Sequence, residues 1–309
     1  NAIAVLVVSC PCGHMLVSSA PMIAALAAAT KRGILIKNSK FVEQLTQVET
    51  VVFDKTGTIT RGELSVSGCF CQQAASREEL LSAGASVACA SMHPISRSLM
   101  REVGRLSYDR GFEVRELSGK GIAGRRGEEE ILFGSRMWIE SLGYHTEDPG
   151  MVSAGPSNWI VRGGKVLGCL MFDDSIRPEA GQAVEELRRL GVKRSVLLTG
   201  DREQAARTIQ AQADIDEVYY QLLPQEKLER VKLLRQGSQV LAVGDGINDA
   251  LALAEADVGI AMGAMGSDVA IQSADIALMN NDLENIPFVI SLARMTKNTM
   301  YQNIGIAFS

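Results

Sequence analysis

Five residues carry the sharpest chemical signal in this chain: Asp54-Lys55-Thr56-Gly57-Thr58. The run before them, Thr50-Val51-Val52-Phe53, is β-branched and mostly apolar, so it reads as a buried strand with Asp54 at its carboxyl end. Open α/β sheets present their reactive groups in the crevice beyond the strand tips. A carboxylate there can serve as a nucleophile, forming an aspartyl-phosphate. Thr56 and Gly57 add a hydroxyl and a turn whose N–H groups can face phosphate oxygens. The blander reading, an acidic turn closing a strand, fits a bare Asp-Lys-Thr better than it fits the full pentapeptide.

Three further groups have the same placement. Thr199-Gly200-Asp201 follows the predicted strand Ser195–Leu198, where a hydroxyl and free N–H groups can hold a phosphoryl oxygen. Alone it is also an ordinary turn. Lys227 lies three residues after Pro224 at a helix start, and an ammonium there can neutralise a transferring phosphoryl group. Most single lysines are instead solvated surface residues. Gly244-Asp245-Gly246-Ile247-Asn248-Asp249 follows the predicted strand Gln239–Val243. Two carboxylates and an amide in so short a run suit Mg²⁺, which prefers carboxylate oxygens and keeps several waters. All four groups sit at or beyond strand tips, so they can share one crevice. They would supply nucleophile, hydroxyl clamp, cation and metal ligands, and phosphoryl transfer works through such positioning and charge stabilisation.

The elements that must position these residues follow from periodicity. Helices are predicted over Pro178–Leu190, 203–213 and Glu226–Arg235, and strands at Val258–Met262 and Asp275–Met279. Alternation of this kind predicts a doubly wound α/β domain with a parallel sheet. Residues 68–166 break the rhythm, with helical pieces over 78–103 and then Gly-punctuated antiparallel strands, which predicts an α+β domain inserted into the first. The expected division is 1–30, 31–67, 68–166, 167–285 and 286–309. The outer two segments are read as membrane-spanning, because residues 1–30 carry no Asp, Glu, Lys or Arg and the stretch from Asn298 turns apolar. Lys31, Arg32, Lys37 and Lys40 follow the first and Arg294 and Lys297 flank the second, so the middle is expected in the cytoplasm. The chain then reads as a piece of a larger integral membrane protein.

Composition narrows the classes. The 309 residues are 46% hydrophobic and 22% charged with a net charge of −5, so a packed core is expected and nucleic acid is not a partner. Six irregularly spaced cysteines do not form a disulfide framework. Gly119-Lys120-Gly121-Ile122-Ala123-Gly124 matches a dinucleotide fingerprint literally, but strand-like segments follow it where a helix is needed. That excludes a Rossmann site and leaves a Gly-lined adenine or phosphate contact open. No Walker loop occurs. His93, in Ser91-Met92-His93-Pro94, reads by itself as a packing or capping histidine. Cys10-Pro11-Cys12 has two readings: a kinked helix offering two thiolates to a soft metal at membrane depth, or two small apolar residues packing that kink. His14, four residues after Cys10, would suit Zn²⁺ better than Cu⁺.

Taken together, these motifs resemble those of the heavy-metal P-type ATPases, in order and over nearly the whole chain. The resemblance implies a HAD-like phosphorylation domain with an inserted nucleotide-binding domain, flanked by transmembrane segments, and ATP-driven export of a soft metal through an aspartyl-phosphate. Asp54 would be phosphorylated, with Lys55, Thr56, Thr199, Gly200, Asp201 and Lys227 completing the catalytic set. His93, Gly119 and Gly121 would hold ATP. Mg²⁺ would be bound by Asp54, Thr56, Asp245 and Asp249, and the transported ion by Cys10, Cys12 and His14. Asn303 would fall in the next core membrane helix. Partners would be membrane lipid, the actuator domain and the remaining membrane helices of a longer chain. The sequence departs from the family where Ser18-Ser19 replaces Thr-Pro, Gly13-His14 replaces Ala-Leu, Ser135 replaces the Asn of a Gly-Asn pair and Leu251 replaces a proline. The expected cargo is a Zn/Cd/Co-like ion, with Cu⁺ export as the alternative. A soluble HAD-like phosphatase, or a membrane regulator that binds nucleotide without pumping, would share parts of this pattern.

Overall fold

The computed structural model describes residues 12–72, 75–148, 150, 155–246, 249–264 and 268–307. It divides into two compact units: one holds the residues up to Ile59 and from Ile176 onward, the other Thr60–Ser175.

The first unit is built on a seven-stranded sheet. In chain order its strands are β1 (Ile34–Ile36), β2 (Thr50–Asp54), β9 (Arg194–Leu198), β10 (Glu217–Tyr219), β11 (Val240–Gly244), β12 (Val258–Ala261) and β13 (Ile276–Leu278). Their spatial order is β1-β13-β12-β11-β2-β9-β10. All neighbours are parallel except β1, which runs antiparallel to β13 at the edge. β2 is therefore an interior strand, flanked by β11 and β9. The chain leaves it toward β9 and β10 on one side, then crosses back to β11 on the other. This reversal is the topological switch point at which such sheets bind ligands.

β2 is buried at every position, and apolar over Val51–Phe53, because both faces are covered. Val51 and Phe53 enter one buried cluster with α2 (Lys40–Leu45), α6 (Ala180–Arg189) and the first half of α11 (Asn285–Ala307). Val52 enters the opposite cluster with α8 (Pro224–Arg235), α9 (Ala250–Glu255) and α10 (Asp268–Ser273). The predicted α6 starts two residues late: Glu179 is its N-cap, so Pro178 stands outside the helix rather than in its first turn.

The ends differ from expectation. α1 (Cys12–Lys31) is a helix and packs against α11. Residues 1–11, including Cys10, lie outside the described residues. α11 does not begin as a membrane segment, since Ile286, Val289, Ile290 and Ala293 are buried in the first unit's core. Among the described residues, no helix is long and apolar enough to cross a membrane.

The second unit is a six-stranded sheet in the order β3-β8-β7-β6-β5-β4. These strands are β3 (Thr60–Cys71), β4 (Glu113–Leu117), β5 (Gly121–Arg126), β6 (Glu129–Ser135), β7 (Ser157–Arg162) and β8 (Lys165–Ile176), antiparallel from β4 through β8. α3 (Arg77–Ala88) and α4 (Pro94–Val103) cover one face, and α5 (Arg136–Ser141) packs on the other. The unit's limits are Thr60 and Ser175 rather than 68 and 166, because β3 and β8 are twelve-residue strands that belong to this sheet from near end to end.

Candidate active site

Asp54 is the last residue of β2, paired with Leu198 of β9 and 8% exposed. Beyond it the chain turns sharply through Gly57 at φ +73°, a conformation in which a Cβ is strained. The turn folds the Thr56 N–H back onto Asp54 Oδ2 at 3.0 Å. Thr56 contributes its backbone here, and its side chain is exposed. From the other side, Arg177 clamps the turn. Its guanidinium donates to the carbonyls of Thr58 (2.7 Å), Gly57 (3.1 Å) and Asn281 (2.7 Å). Arg177 is buried, and the Glu179 carboxylate stands 3.9 Å from it. The sequence reading missed it, although an arginine before a proline at a strand end was the available signal.

Three other strand tips deliver the remaining groups. Thr199 follows β9 directly; its N–H donates to the Tyr219 carbonyl at 3.0 Å and its buried Oγ1 accepts from the Asp201 N–H at 3.1 Å. Asp201 pairs with Lys55 at 2.6 Å, so Lys55 ties the loop after β2 to the loop after β9. Gly200 lies close under the Leu222 carbonyl, where an added Cβ would come within 3.3 Å. Asp249 folds back against Gly244, and Asp245 stands beside Gly57. Gly246, at φ +77°, passes so close to Ala270 that a Cβ would meet its Cα at 2.7 Å.

Lys227, in the first turn of α8, joins the site together. Its ammonium pairs with Asp54 Oδ1 and with Asp249 Oδ1, the latter at 2.8 Å. Burial pushes the Asp54 carboxyl up to about 7, helped by the negative charge of Asp249 and opposed by Lys227. Burial would lower Lys227, but the two carboxylates outweigh it and raise its pKa. Two crowded carboxylates sharing one ammonium make a site that binds cations and phosphoryl oxygens on balanced charge.

The donors fit Mg²⁺. Asp54, Asp245 and Asp249 supply hard carboxylate oxygens, and Asp249 Oδ2 is buried with no hydrogen-bond partner among the described residues. Among the described residues no cluster of three or more His, Cys, Asp or Glu could by itself hold a metal ion. Mg²⁺ does not need one, as it binds through one or two carboxylates with waters and substrate phosphates. Ile247 and Asn248 lie outside the described residues, as does Cys10, and nothing is described of the Cys12 and His14 side chains.

In the second unit, His93, Gly119 and Gly121 line one cavity of about 700 Å³. Ile122 and Phe133 contribute apolar surface and Lys120 and Ser135 polar groups, joined by Glu116 and Asn158, which the sequence reading did not single out. His93 is the N-cap of α4, accepting from the Ile95 N–H at Nδ1, 3.3 Å. Capping and cavity lining are thus one arrangement: a bonded Nδ1 leaves Nε2 as the protonated nitrogen. The glycines have separate reasons. Gly119 turns at φ +70°, whereas Gly121 faces Gly134 across β5 and β6, where a Cβ would meet the Phe133 carbonyl oxygen at 2.3 Å.

Residues 48–257 match the family model for haloacid dehalogenase-like hydrolases. The chain is 38% identical to the cadmium, zinc and cobalt-transporting ATPase of Bacillus subtilis (strain 168), over 99% of this chain and 44% of that protein. It is 36% identical to copper-exporting P-type ATPase B of Archaeoglobus fulgidus, over 98% of this chain and 44% of that protein. A crystal structure of a zinc-transporting PIB-type ATPase in the E2.Pi state superposes with a TM-score of 0.83 at 38% identity, covering 98% of this chain and 50% of that one. The chain thus spans less than half the length of these curated relatives. It belongs to the haloacid dehalogenase-like hydrolases and is homologous over almost all of its length to heavy-metal P-type ATPases.

Proposed function

We propose that this chain is the phosphorylation and nucleotide-binding part of an ATPase that exports a soft transition-metal ion. The observation that carries the reading is Asp54 at the switch point of the sheet, bridged through Lys227 to Asp249. ATP binds in the cavity lined by His93, Gly119 and Gly121, its base against Ile122 and Phe133. Asp54 Oδ1 or Oδ2 attacks the γ-phosphorus, the bond to the β–γ bridging oxygen breaks, and ADP leaves. The Thr56 N–H and the Thr199 hydroxyl orient the transferred group, and Lys227 balances its charge. Asp54, Asp245 and Asp249 would hold Mg²⁺, with Thr56 as a further oxygen ligand; when bound, the ion supplies charge neutralisation on the phosphoryl oxygens. The Asp54 pKa of about 7 leaves its carboxylate partly protonated near neutral pH, and a cation bound beside it would shift it further toward the nucleophilic, ionised form.

The cargo reading follows the residues and the names of the relatives. Cys10 and Cys12 offer thiolates and His14 an imidazole, which favours a divalent ion of the Zn/Cd/Co kind over Cu⁺. One relative bears cadmium, zinc and cobalt in its name, and another copper. In the parent protein, residues 1–30 would lie in the membrane and the remainder of both units up to the second membrane flank in the cytoplasm, with the actuator domain and remaining helices supplied by the rest of that chain. The hydrolase description of the family supports a second reading, a phosphatase using the same Asp54.

One experiment separates these. The complete parent protein in lipid is given labelled ATP with Zn²⁺, Cd²⁺, Co²⁺ or Cu⁺ singly, and acid-stable, alkali-labile label is counted. The pump reading expects label that one metal stimulates and Asp54→Asn abolishes. Label that survives Asp54→Asn refutes the phosphorylation site. Turnover with no accumulating label, indifferent to every metal, favours the phosphatase.

A further inference from the structure

Cys69-Phe70-Cys71 lies near the end of β3, the edge strand of the second unit's sheet, and the function proposed above leaves it unused. Side chains two apart on a strand share a face. Cys69 and Cys71 both pack, half-buried, on the α3/α4 side, while Phe70 belongs to the opposite cluster. There Phe70 meets Trp159 edge to face at 6.2 Å between ring centroids, which fixes the rotation of the strand about its axis. The two thiols are thereby held on one surface, two residues apart on the same strand. Burial, with the neighbouring Cys69, raises the Cys71 thiol above its ordinary value, and the Arg77 guanidinium, itself paired with Glu102 at 2.6 Å, opposes that rise. The other described thiols are placed differently: Cys169 is fully buried on the far face, and Cys89 is exposed at the end of α3.

Geometry decides what this pair can do. Residues two apart on a strand are separated by about 6.6 Å. A disulfide draws Cβ atoms to about 3.8 Å, which a strand in register with β8 does not permit without distortion. Two thiolates joined through a cation stand about 4.6 Å apart, taking about 2.3 Å for each metal–sulfur bond. Side chains leaning toward each other from a strand cover that span. Two soft ligands on one line, with no third His, Cys, Asp or Glu completing a metal-holding group among the described residues, suit a soft monovalent ion rather than tetrahedral Zn²⁺.

We propose that Cys69 and Cys71 form a two-coordinate site for a soft monovalent cation, Cu⁺ or Ag⁺, separate from Cys10, Cys12 and His14. Each thiol gives up its proton to solvent as its sulfur bonds the ion. The product is a bis-thiolate carrying one negative charge, with two protons released per ion and no change of oxidation state. Arg77 offsets that charge.

The test uses the full chain carrying Cys10→Ser, Cys12→Ser and Cys89→Ser, which removes the other thiols open to metal while leaving the buried Cys169. Ag⁺ is titrated under anaerobic conditions against a chromophoric chelator, with proton release followed in weak buffer and the fold checked by circular dichroism. The proposal expects one Ag⁺ per chain and two protons per Ag⁺. Adding Cys69→Ser or Cys71→Ser must abolish uptake in competition with the chelator, while Cys169→Ser must not. Uptake that persists in a folded Cys69→Ser chain overturns it, as does release of one proton. Absence of uptake by the folded background chain, or a Cys69–Cys71 disulfide forming readily on mild oxidation, does the same.

Discussion

At the scale of single residues, the central fact is that Asp54 is held in an environment that resists its charge. Its carboxyl has a pKa of about 7 in the folded chain, against an ordinary value of 3.8. A carboxyl with a raised folded-state pKa binds more protons folded than unfolded between those two values. Its contribution to stability is therefore present below pH 3.8 and is lost as pH rises toward 7. Asp54→Asn removes the charge while keeping the shape. It should stabilise the metal-free chain by roughly 1–3 kcal/mol at pH 8, with the difference shrinking toward pH 4. Urea unfolding in chelator at both pH values measures this, and a gap that widens at low pH would contradict the assignment. Lys227 acts in the opposite sense. Lys227→Ala leaves Asp54 and Asp249 facing each other without a cation, and it should slow phosphorylation of Asp54 by about 10²–10³-fold, the usual cost of losing one charge-stabilising group. Single-turnover labelling reads that loss, and a rate within threefold of the parent would remove Lys227 from the catalytic set.

At the scale of elements, the positions of the reactive groups follow from how strands end. β2, β9 and β11 were legible in the sequence because strands covered on both faces must be apolar at every position, as Val51, Val52 and Phe53 are. Once three such strands are recognised, Asp54, Thr199 and Asp245 fall at their tips. β1 and β10 were not legible, being three residues long with half-exposed side chains, too short to show a period. Nor was the Arg177 clamp, whose three acceptors belong to segments more than a hundred residues away in the chain and are backbone carbonyls that any sequence would provide. Arg177→Lys keeps the charge but loses the planar fork that reaches three carbonyls at once. It should cost about 2–4 kcal/mol, as buried carbonyls lose their donors, and lower the phosphorylation rate by loosening the turn at Gly57. A thermal melt together with the labelling rate checks both parts. In the second unit, Gly121→Ala would drive a methyl into the Phe133 carbonyl and force β5 from β6. ATP binding should weaken at least as much as stability, which isothermal titration would show. Unchanged affinity would place the nucleotide elsewhere than the cavity beside this pair.

At the scale of the whole molecule, the chain is one sheet interrupted by another, and the interruption has a definite edge. The loss of the strand–helix rhythm places the break at 68 and 166. The structure puts it at Thr60 and Ser175 because β3 and β8 are long strands with mixed exposure, and their first and last residues look like loop in sequence. This difference has a physical consequence. The unit Thr60–Ser175 has its own buried cluster, in which Leu80, Leu99, Phe133, Ile160, Leu170 and Phe172 are fully or almost fully buried, and it closes its sheet with β3 paired to β8. Cutting at 68 and 166 removes most of β3 and nearly all of β8. Leu170 and Phe172 would be lost and the β7 edge left unpaired, at about 1.5–3 kcal/mol for each large buried side chain, more than a unit of this size has to spare. The polypeptide 60–175 should therefore fold cooperatively and bind ATP through its own cavity, with affinity reduced by His93→Ala. The polypeptide 68–166 should be unfolded or aggregated. Amide dispersion in a proton–nitrogen correlation spectrum, followed by nucleotide titration, decides the matter: a folded 68–166 would show that the long strands are dispensable, and a folded 60–175 indifferent to ATP would separate the fold from the function proposed for it.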